Sequence, residues 1–338
     1  MRYRALALQT TCFAVNPAPT PQAARQRMHQ TAERIERQIQ AAKRFLGPDV
    51  RLVALPEYFL TGFPMGESIA QWQEKACLYP DDPLWTTLSQ IAQRQEVFLA
   101  GNAYEVDAHF PDLYFQCSFV FSPAGKRILH YRRLNSMFAP TPHDVWDRYL
   151  EIYGLEAVFP VVDTEIGRLA CIASEEILYP EIARCLLMRG AEVFLHATSE
   201  VGSPQLTPKN VAKLARAIEN IAYVVSANSA GIADIDIPFA SADGGSKIIH
   251  YEGYVLAEAG YGESMVANAT IDIAALRAYR ARPGMNNYIA RQRFELFAES
   301  YAKYSIYPPN TFLNKKPDRA DFLENVRRAV DRWTSSET

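Results

Sequence analysis

"GRLACIASEEILYPEIARCLLMRGAEVFLHATS" spans Gly167 to Ser199. It reads as a strand, a sharp turn carrying Ser174, Glu175 and Glu176, a helix over 180–189, and a second strand, "EVFLHAT". A strand that passes into a helix through a tight turn is where many α/β enzymes present a nucleophile. The residue presented here is a serine, with no histidine close to it in sequence. What would activate that serine, and whether it is a nucleophile at all, are the questions the rest of the chain must answer.

The same alternation extends in both directions. "YRALALQT" has the period of a strand, and Thr20-Pro21 supplies an N-cap and a first-turn proline. Met28, Ala32, Ile35, Ile39 and Ala42 then fall at helical spacing. "RLVAL" is a short strand stopped by Pro56, "DPLWTTLSQIAQRQ" a second amphipathic helix and "VFLAGNAYE" a further strand. "FQCSFVFS" and "RILHYRR" flank Pro123-Ala124-Gly125 as a hairpin. "AVFPVVDT" and "RLACIAS" flank Glu165-Ile166-Gly167 as another. Beyond the opening stretch come a helix over 208–220, the strand "AYVVSAN" and the sheet segments "GGSKIIHYEGYVLAEAG" and "SMVANATID". Strands and helices that alternate in this way imply an α/β fold with helices outside the sheets. After "YSIYPPNTFLNKKPD", which prolines break, Phe322, Val326, Ala329, Val330 and Trp333 form one face of a short helix. The chain therefore divides into a 1–300 domain and a 301–338 extension whose apolar helix is expected to dock, most naturally on a partner subunit.

Composition narrows the function. Of 338 residues about half are apolar, and the net charge is −3. Nothing there grips nucleic acid or an anionic membrane. The five cysteines form no CxxC pair, and their odd number argues against a disulfide framework. The six histidines form no metal-binding motif, so neither metal nor cofactor is expected. No apolar run is long enough to span a bilayer, and the N-terminus reads as a strand rather than a signal peptide. A reduced, cytoplasmic protein is the expectation.

Four short stretches carry the candidate chemistry. "ALPEYFLTGFP" puts Glu57 and Tyr58 just past a strand end, and "HYRRLN" ends another strand with Arg132 and Arg133. The third is the Ser174 turn, and the fourth is "RAIENIAYVVSAN". Taken singly, each reads as a surface charge, a turn or a helix end. In this order and spacing they resemble the nitrilase superfamily, the carbon–nitrogen hydrolases, over roughly residues 3–300. "GKRILHYRR" and "GGSKIIHYEGYVLAEAG" belong to the same resemblance. It implies a four-layer αββα sandwich, a small-molecule substrate, no cofactor, and subunits paired across helical faces as a homodimer or higher homo-oligomer.

The resemblance also implies a glutamate–lysine–cysteine set. The glutamate of the "PE" motif is present as Glu57. The lysine position, after Tyr-Arg, holds Arg133. The cysteine position, seven residues before Glu181, holds Ser174. Both departures have physical weight. A serine hydroxyl is far less acidic than a thiol and needs a strong, positioned base. An arginine stays protonated and tends to fork onto carboxylates, so Arg133 either stabilises an oxyanion or locks onto Glu57 and closes the site. Cys171 is a poor substitute for the missing thiol, because three residues along a strand put it on the opposite face from Ser174, and a buried strand thiol is more often inert core. A second carboxylate is sought in "MFAPTPHDVWDRYLEIYG", where Asp144 and Asp147 are candidates. Phe138, His143 and Trp146 of that loop, with Tyr58 and Glu175, are the expected substrate-contacting residues.

Three readings follow. One is an amidohydrolase whose cysteine was exchanged for serine in the laboratory. Another is a natural C–N hydrolase of altered chemistry, acting on a small amide, N-carbamoyl compound or nitrile. The third is a non-catalytic relative that binds a small molecule or a partner.

Overall fold

The computed structural model describes residues 1–203 and 205–335. Two six-stranded sheets form its centre. The first contains β1 (Arg2–Ala7), β3 (Val50–Ala54), β4 (Phe98–Val106), β5 (Tyr114–Phe121), β6 (Arg127–Arg132) and β14 (Asn268–Asp272), in the order β14-β1-β3-β4-β5-β6. The second contains β7 (Val162–Thr164), β8 (Gly167–Ala173), β9 (Val193–Ala197), β10 (Tyr223–Ala227), β12 (Lys247–Ile249) and β13 (Val255–Glu258), in the order β13-β12-β10-β9-β8-β7. A two-stranded bridge, β2 (Cys12–Phe13) with β11 (Ile232–Ala233), lies outside both.

The two-residue period of the strands makes the layers. Tyr3, Ala5, Ala7, Leu52 and Ala54 point inward and meet Leu169, Cys171, Ala173, Leu195 and Val225 of the other sheet. The alternate residues Leu6, Leu8, Val53 and Leu55 point outward, under α1 (Pro21–Leu46), α2 (Ile69–Ala76) and α3 (Pro83–Arg94). On the other side Ala170, Ile172, Phe194 and Val224 lie under α5 (Pro180–Met188) and α6 (Pro208–Asn220). The result is the αββα sandwich. Alanines are prominent on the inner faces, which lets the sheets approach closely.

The elements read from the sequence recur, with instructive differences. The hairpins around Gly125 and Gly167 are antiparallel pairs β5–β6 and β7–β8, and both glycines have positive φ. "AVFPVVDT" is a strand only from Val162, because Pro160 leaves residues 157–161 outside the ladder. The loop proposed as an aromatic wall is largely helical: a 3₁₀ turn over Pro142–Val145 runs into α4 (Trp146–Tyr153). Tyr149 faces the core there. Three further helices were not expected from the sequence: α2, α7 (Ile273–Arg280) and α8 (Glu295–Lys303).

The C-terminal extension lies along its own subunit. Thr311 Oγ1 donates to Asp144 Oδ1 (2.8 Å), and the Phe312 N–H donates to the Asp144 carbonyl (2.9 Å). In α9 (Arg319–Thr334) Phe322 is buried edge-on against Phe312, with ring centroids 5.2 Å apart. Arg319 reaches Tyr114 Oη (2.9 Å) and the Phe138 carbonyl (2.5 Å). Further along, Val330 and Trp333 remain 53% and 68% exposed, and α8 leaves Leu296 and Phe297 exposed as well. Residues 336–338, the end of the extension, lie outside the described residues. Removing a buried phenylalanine ring costs about 3–5 kcal/mol. Phe322→Ala should therefore release the extension, and limited trypsinolysis should cut after Lys315 much faster than in the wild type. Unchanged protection would show that another contact holds it.

Candidate active site

Glu57 lies three residues beyond β3, Arg133 directly follows β6, and Ser174 directly follows β8. The two sheets thus deliver the residues from opposite sides. Two non-glycine residues here adopt left-handed backbone: Tyr58 (φ 62°) and Ser174 (φ 50°). Such conformations are disfavoured and persist only where the surroundings enforce them.

Glu57 is fully buried. Its Oε1 accepts from Gln116 Nε2 (2.8 Å) and Arg133 Nη1 (3.2 Å), and its Oε2 accepts from the Ser199 N–H (3.1 Å). Gln116 also accepts from Arg133 Nη1 at 2.6 Å and donates to Asn102 Oδ1 at 2.9 Å. The Arg133 fork is divided. One nitrogen faces Glu57 and Gln116, Nη2 lies 2.5 Å from Glu175 Oε1, and Nε donates to the Asn135 carbonyl (2.7 Å). Burial opposes the charge on Arg133, but Glu57 and then Tyr58 and Glu175 outweigh it and push the pKa above the ordinary arginine value.

Glu176, also fully buried, ties the Ser174 turn to the end of β6. It accepts from Tyr131 Oη (2.7 Å) and from the N–H groups of Leu134 (2.5 Å), Asn135 (3.1 Å) and Ala173 (3.0 Å). Desolvation nevertheless raises its pKa. Ser174 is held from below by a histidine distant in sequence. His196 Nε2 donates to the Ser174 carbonyl (2.8 Å), which makes Nδ1 the acceptor from Ser226 Oγ (2.9 Å). Burial, reinforced by Lys213, drives the His196 pKa well below normal, so the ring is neutral. It fixes the Ser174 backbone and does not touch the hydroxyl. The partner that Ser174 Oγ has is Lys209, whose Nζ is 3.4 Å away.

Beside this centre opens a cleft of about 930 Å³, between the 134–146 segment, the start of α5 and the C-terminal extension. Glu175, His143, Asp144 and Trp146 line it. Tyr58 does not. Its ring stacks on Tyr104 (6.0 Å between centroids), within the first sheet's outer core. Phe138 is half-exposed and is not part of the lining. Asp144 faces the cleft, but its Oδ2 accepts from the Thr141 N–H (2.8 Å) and Oγ1 (2.9 Å), and its Oδ1 accepts from Thr311. Its carboxylate is engaged in holding the loop and the extension. Asp147 is exposed. The acid that meets Arg133 besides Glu57 is Glu175. Cys171 faces the other sheet, and burial pushes its thiol far up, as expected for an inert core residue.

A separate buried cluster brings Glu105, Cys117 and His130 within ligating distance of one another. Arg132 already supplies the cation there: its Nε lies 2.7 Å from Glu105 Oε1 and its Nη2 2.6 Å from Asp107 Oδ2. Desolvation opposes ionisation of Glu105, but His130 and Arg132 hold its pKa down to about 2.

Residues 4–281 match the carbon-nitrogen hydrolase family. The chain belongs to that family. Among curated relatives it is 23% identical to the omega-amidase of Saccharomyces cerevisiae, over 75% of this chain and 84% of that one. It is 29% identical to an (R)-stereoselective amidase from a Pseudomonas species, over 69% and 77%. Among solved structures the fold matches a carbon-nitrogen hydrolase from Helicobacter pylori G27 (TM-score 0.65, 18% identity, 90% of this chain and 100% of that one). It also matches an amidase from Nesterenkonia sp. AN1 in which acrylamide has added to the active-site cysteine (TM-score 0.60, 18% identity, 88% and 99%). No helix among the described residues is long and apolar enough to cross a membrane.

Sequence reasoning missed Gln116, His196 and Lys209. Gln116 and His196 sit inside continuous buried strands, where one polar residue gives no periodic signal. Lys209 comes from a helix 35 residues beyond Ser174. Gln116 supplies the test of the network: Gln116→Ala leaves Glu57 and Arg133 each short of a buried partner. It should lower stability by about 1–3 kcal/mol, read by chemical denaturation, whereas a loss below measurement error would mean that water replaces the amide without cost.

Proposed function

We propose that the protein is a serine-dependent C–N hydrolase that acts on a small amide, N-carbamoyl compound or nitrile. The observation that carries this reading is the placement of Ser174: a left-handed nucleophile turn, fixed through its own carbonyl by neutral His196, with its hydroxyl facing a lysine. In an amide or N-carbamoyl substrate Ser174 Oγ attacks the carbonyl, the C–N bond breaks, and the amine leaves with the serine's proton; in a nitrile Oγ adds to the nitrile carbon, and the C–N bond breaks only after water has added to the resulting imidate. Water then cleaves the resulting serine ester. Glu57 is held by three hydrogen bonds, and its buried charge keeps Arg133 in place beside the Ser174 turn. Arg133 sets the position of Glu57 and Glu175 rather than acting as a mobile acid, since a guanidinium does not give up its proton. The cleft walls include Phe159, Tyr179, Ile182 and Tyr307, which suits a substrate with an apolar side chain whose scissile group lies near Glu175.

A second reading is supported by the Arg133–Glu175 contact. It places a closed ion pair at the end of the cleft nearest Ser174, as a binding protein without turnover would have. The likeness to amidases and the apolar residues that α8 and α9 leave exposed suit a cytoplasmic enzyme that works as a homodimer.

A panel of short amides, N-carbamoyl compounds and nitriles, read by ammonia release and by intact mass, tests the proposal. Turnover by the wild type should fall about a thousandfold or more in Ser174→Ala, fall strongly in Glu57→Gln, and be accompanied by an acyl adduct on residue 174. If neither ammonia nor adduct forms with the wild type, and Ser174→Cys is equally silent, the hydrolase reading is wrong and the binding reading stands.

A further inference from the structure

A serine nucleophile needs a base within reach, and Glu57 shows no contact with Ser174 Oγ; its oxygens are turned to Gln116, Arg133 and Ser199. His196 is neutral and spends its N–H on the Ser174 carbonyl. The titratable side chain at the hydroxyl is Lys209, 3.4 Å away. That distance is long for a hydrogen bond, as is common for catalytic pairs without substrate.

Its aim is set by α6. Thr207 caps the helix, accepting from the Asn210 N–H at 3.2 Å, and Pro208 opens it, so Lys209 stands in the first turn. Residues 209, 213 and 216 share one helix face. At the far end of that face Arg216 Nε donates to the Ile177 carbonyl (2.9 Å) and Nη2 to that of Leu178 (3.3 Å). The helix therefore grips the 174–178 turn at both ends. The neighbouring cations are neutralised: Arg133 by Glu57 and Glu175, Lys213 by Glu200, and Arg216 by Glu219. Among the described residues Lys209 has no carboxylate partner. A lysine kept there without an acid, half-buried and turned to a hydroxyl, is placed for that hydroxyl.

We infer that Lys209 is the proton-transfer partner of Ser174, a serine–lysine pair that takes over from the lysine missing at position 133. The inference rests on the hydrolase reading for its substrate, but the chemistry of the pair is testable without one. In the amine form Lys209 removes the Oγ proton as the Oγ–carbon bond forms and the carbonyl π pair moves to oxygen. It returns the proton to the leaving nitrogen as the C–N bond breaks. In the second half it takes a proton from the attacking water, and Ser174 Oγ recovers it on leaving.

The probe is phenylmethanesulfonyl fluoride, which forms an Oγ–sulfur bond and releases fluoride, the serine proton passing to Lys209. Intact and peptide mass should locate the sulfonyl group on Ser174 in the wild type and find none in Ser174→Ala. Lys209→Ala should slow labelling about a hundredfold or more, with circular dichroism unchanged. Lys209→Arg should be as slow, because a guanidinium is not a base at neutral pH. Added ethylamine and its less basic fluorinated analogues should restore labelling of Lys209→Ala in the order of their basicity, a response that a merely structural lysine would not give. Labelling of Lys209→Ala or Lys209→Arg at the wild-type rate, or an unlabelled wild type, overturns the pair. Lysine-dependent labelling in a protein that turns over no member of the amide panel supports the pair and removes the amidase reading alone. Amide turnover that survives Lys209→Ala removes the pair and leaves the amidase reading.

Discussion

The Arg133 guanidinium is the joint on which the site depends. It leaves the end of β6 in one sheet and meets Glu57 and Gln116 of the same sheet and Glu175 from the turn after β8 in the other. A buried cation of this kind is tolerable only when its partners are complete, because a charge stripped of its partners in the interior costs several kcal/mol. Glu176 makes the return connection, reaching from the β8 turn to Tyr131 and to the N–H groups of Leu134 and Asn135. The two carboxylates of "SEE" therefore have different tasks. Glu175 closes the ion pair and faces the cleft, while Glu176 sews the turn to the opposite sheet. Together they hold the strained backbone of Ser174 in place.

This arrangement gives an arginine at position 133 a physical sense. An ammonium at position 133 would be a compact donor, able to reach an oxyanion and to titrate. The guanidinium instead spreads over four acceptors and is fixed in the charged state. Arg133 is architectural. If the site is catalytic, the mobile proton must be handled elsewhere, and Lys209 is where the geometry places a suitable group.

Much of this was legible in the sequence. The period-two strands, the Thr20-Pro21 cap and the glycine turns pointed to an α/β fold with helices outside the sheets, and the family resemblance carried by the "PE", "YRR" and "SEE" stretches implied the four layers and put Glu57, Arg133 and Ser174 at strand ends. What was not legible has a common cause. Gln116 lies in a strand buried along its whole length, and His196 in one equally apolar, so neither stands out by pattern. Lys209 reads as an ordinary polar residue of a first helical turn, and only the packing of α6 on the Ser174 turn reveals what it faces. Asp144 shows the opposite error. A carboxylate in the right loop suggests chemistry, yet its oxygens hold Thr141 and Thr311. Chain pattern fixes where a side chain starts; tertiary packing decides what it meets.

Arg133 and Glu57 act as one unit at the strand ends of the first sheet. A double-mutant cycle in urea measures this directly, with Glu57→Gln, Arg133→Met and the combined variant. If the two charges depend on each other, the double variant should be less destabilised than the sum of the single ones, with a coupling energy of about 1–3 kcal/mol. Strictly additive losses would contradict the account, because they would mean that each charge is satisfied without the other.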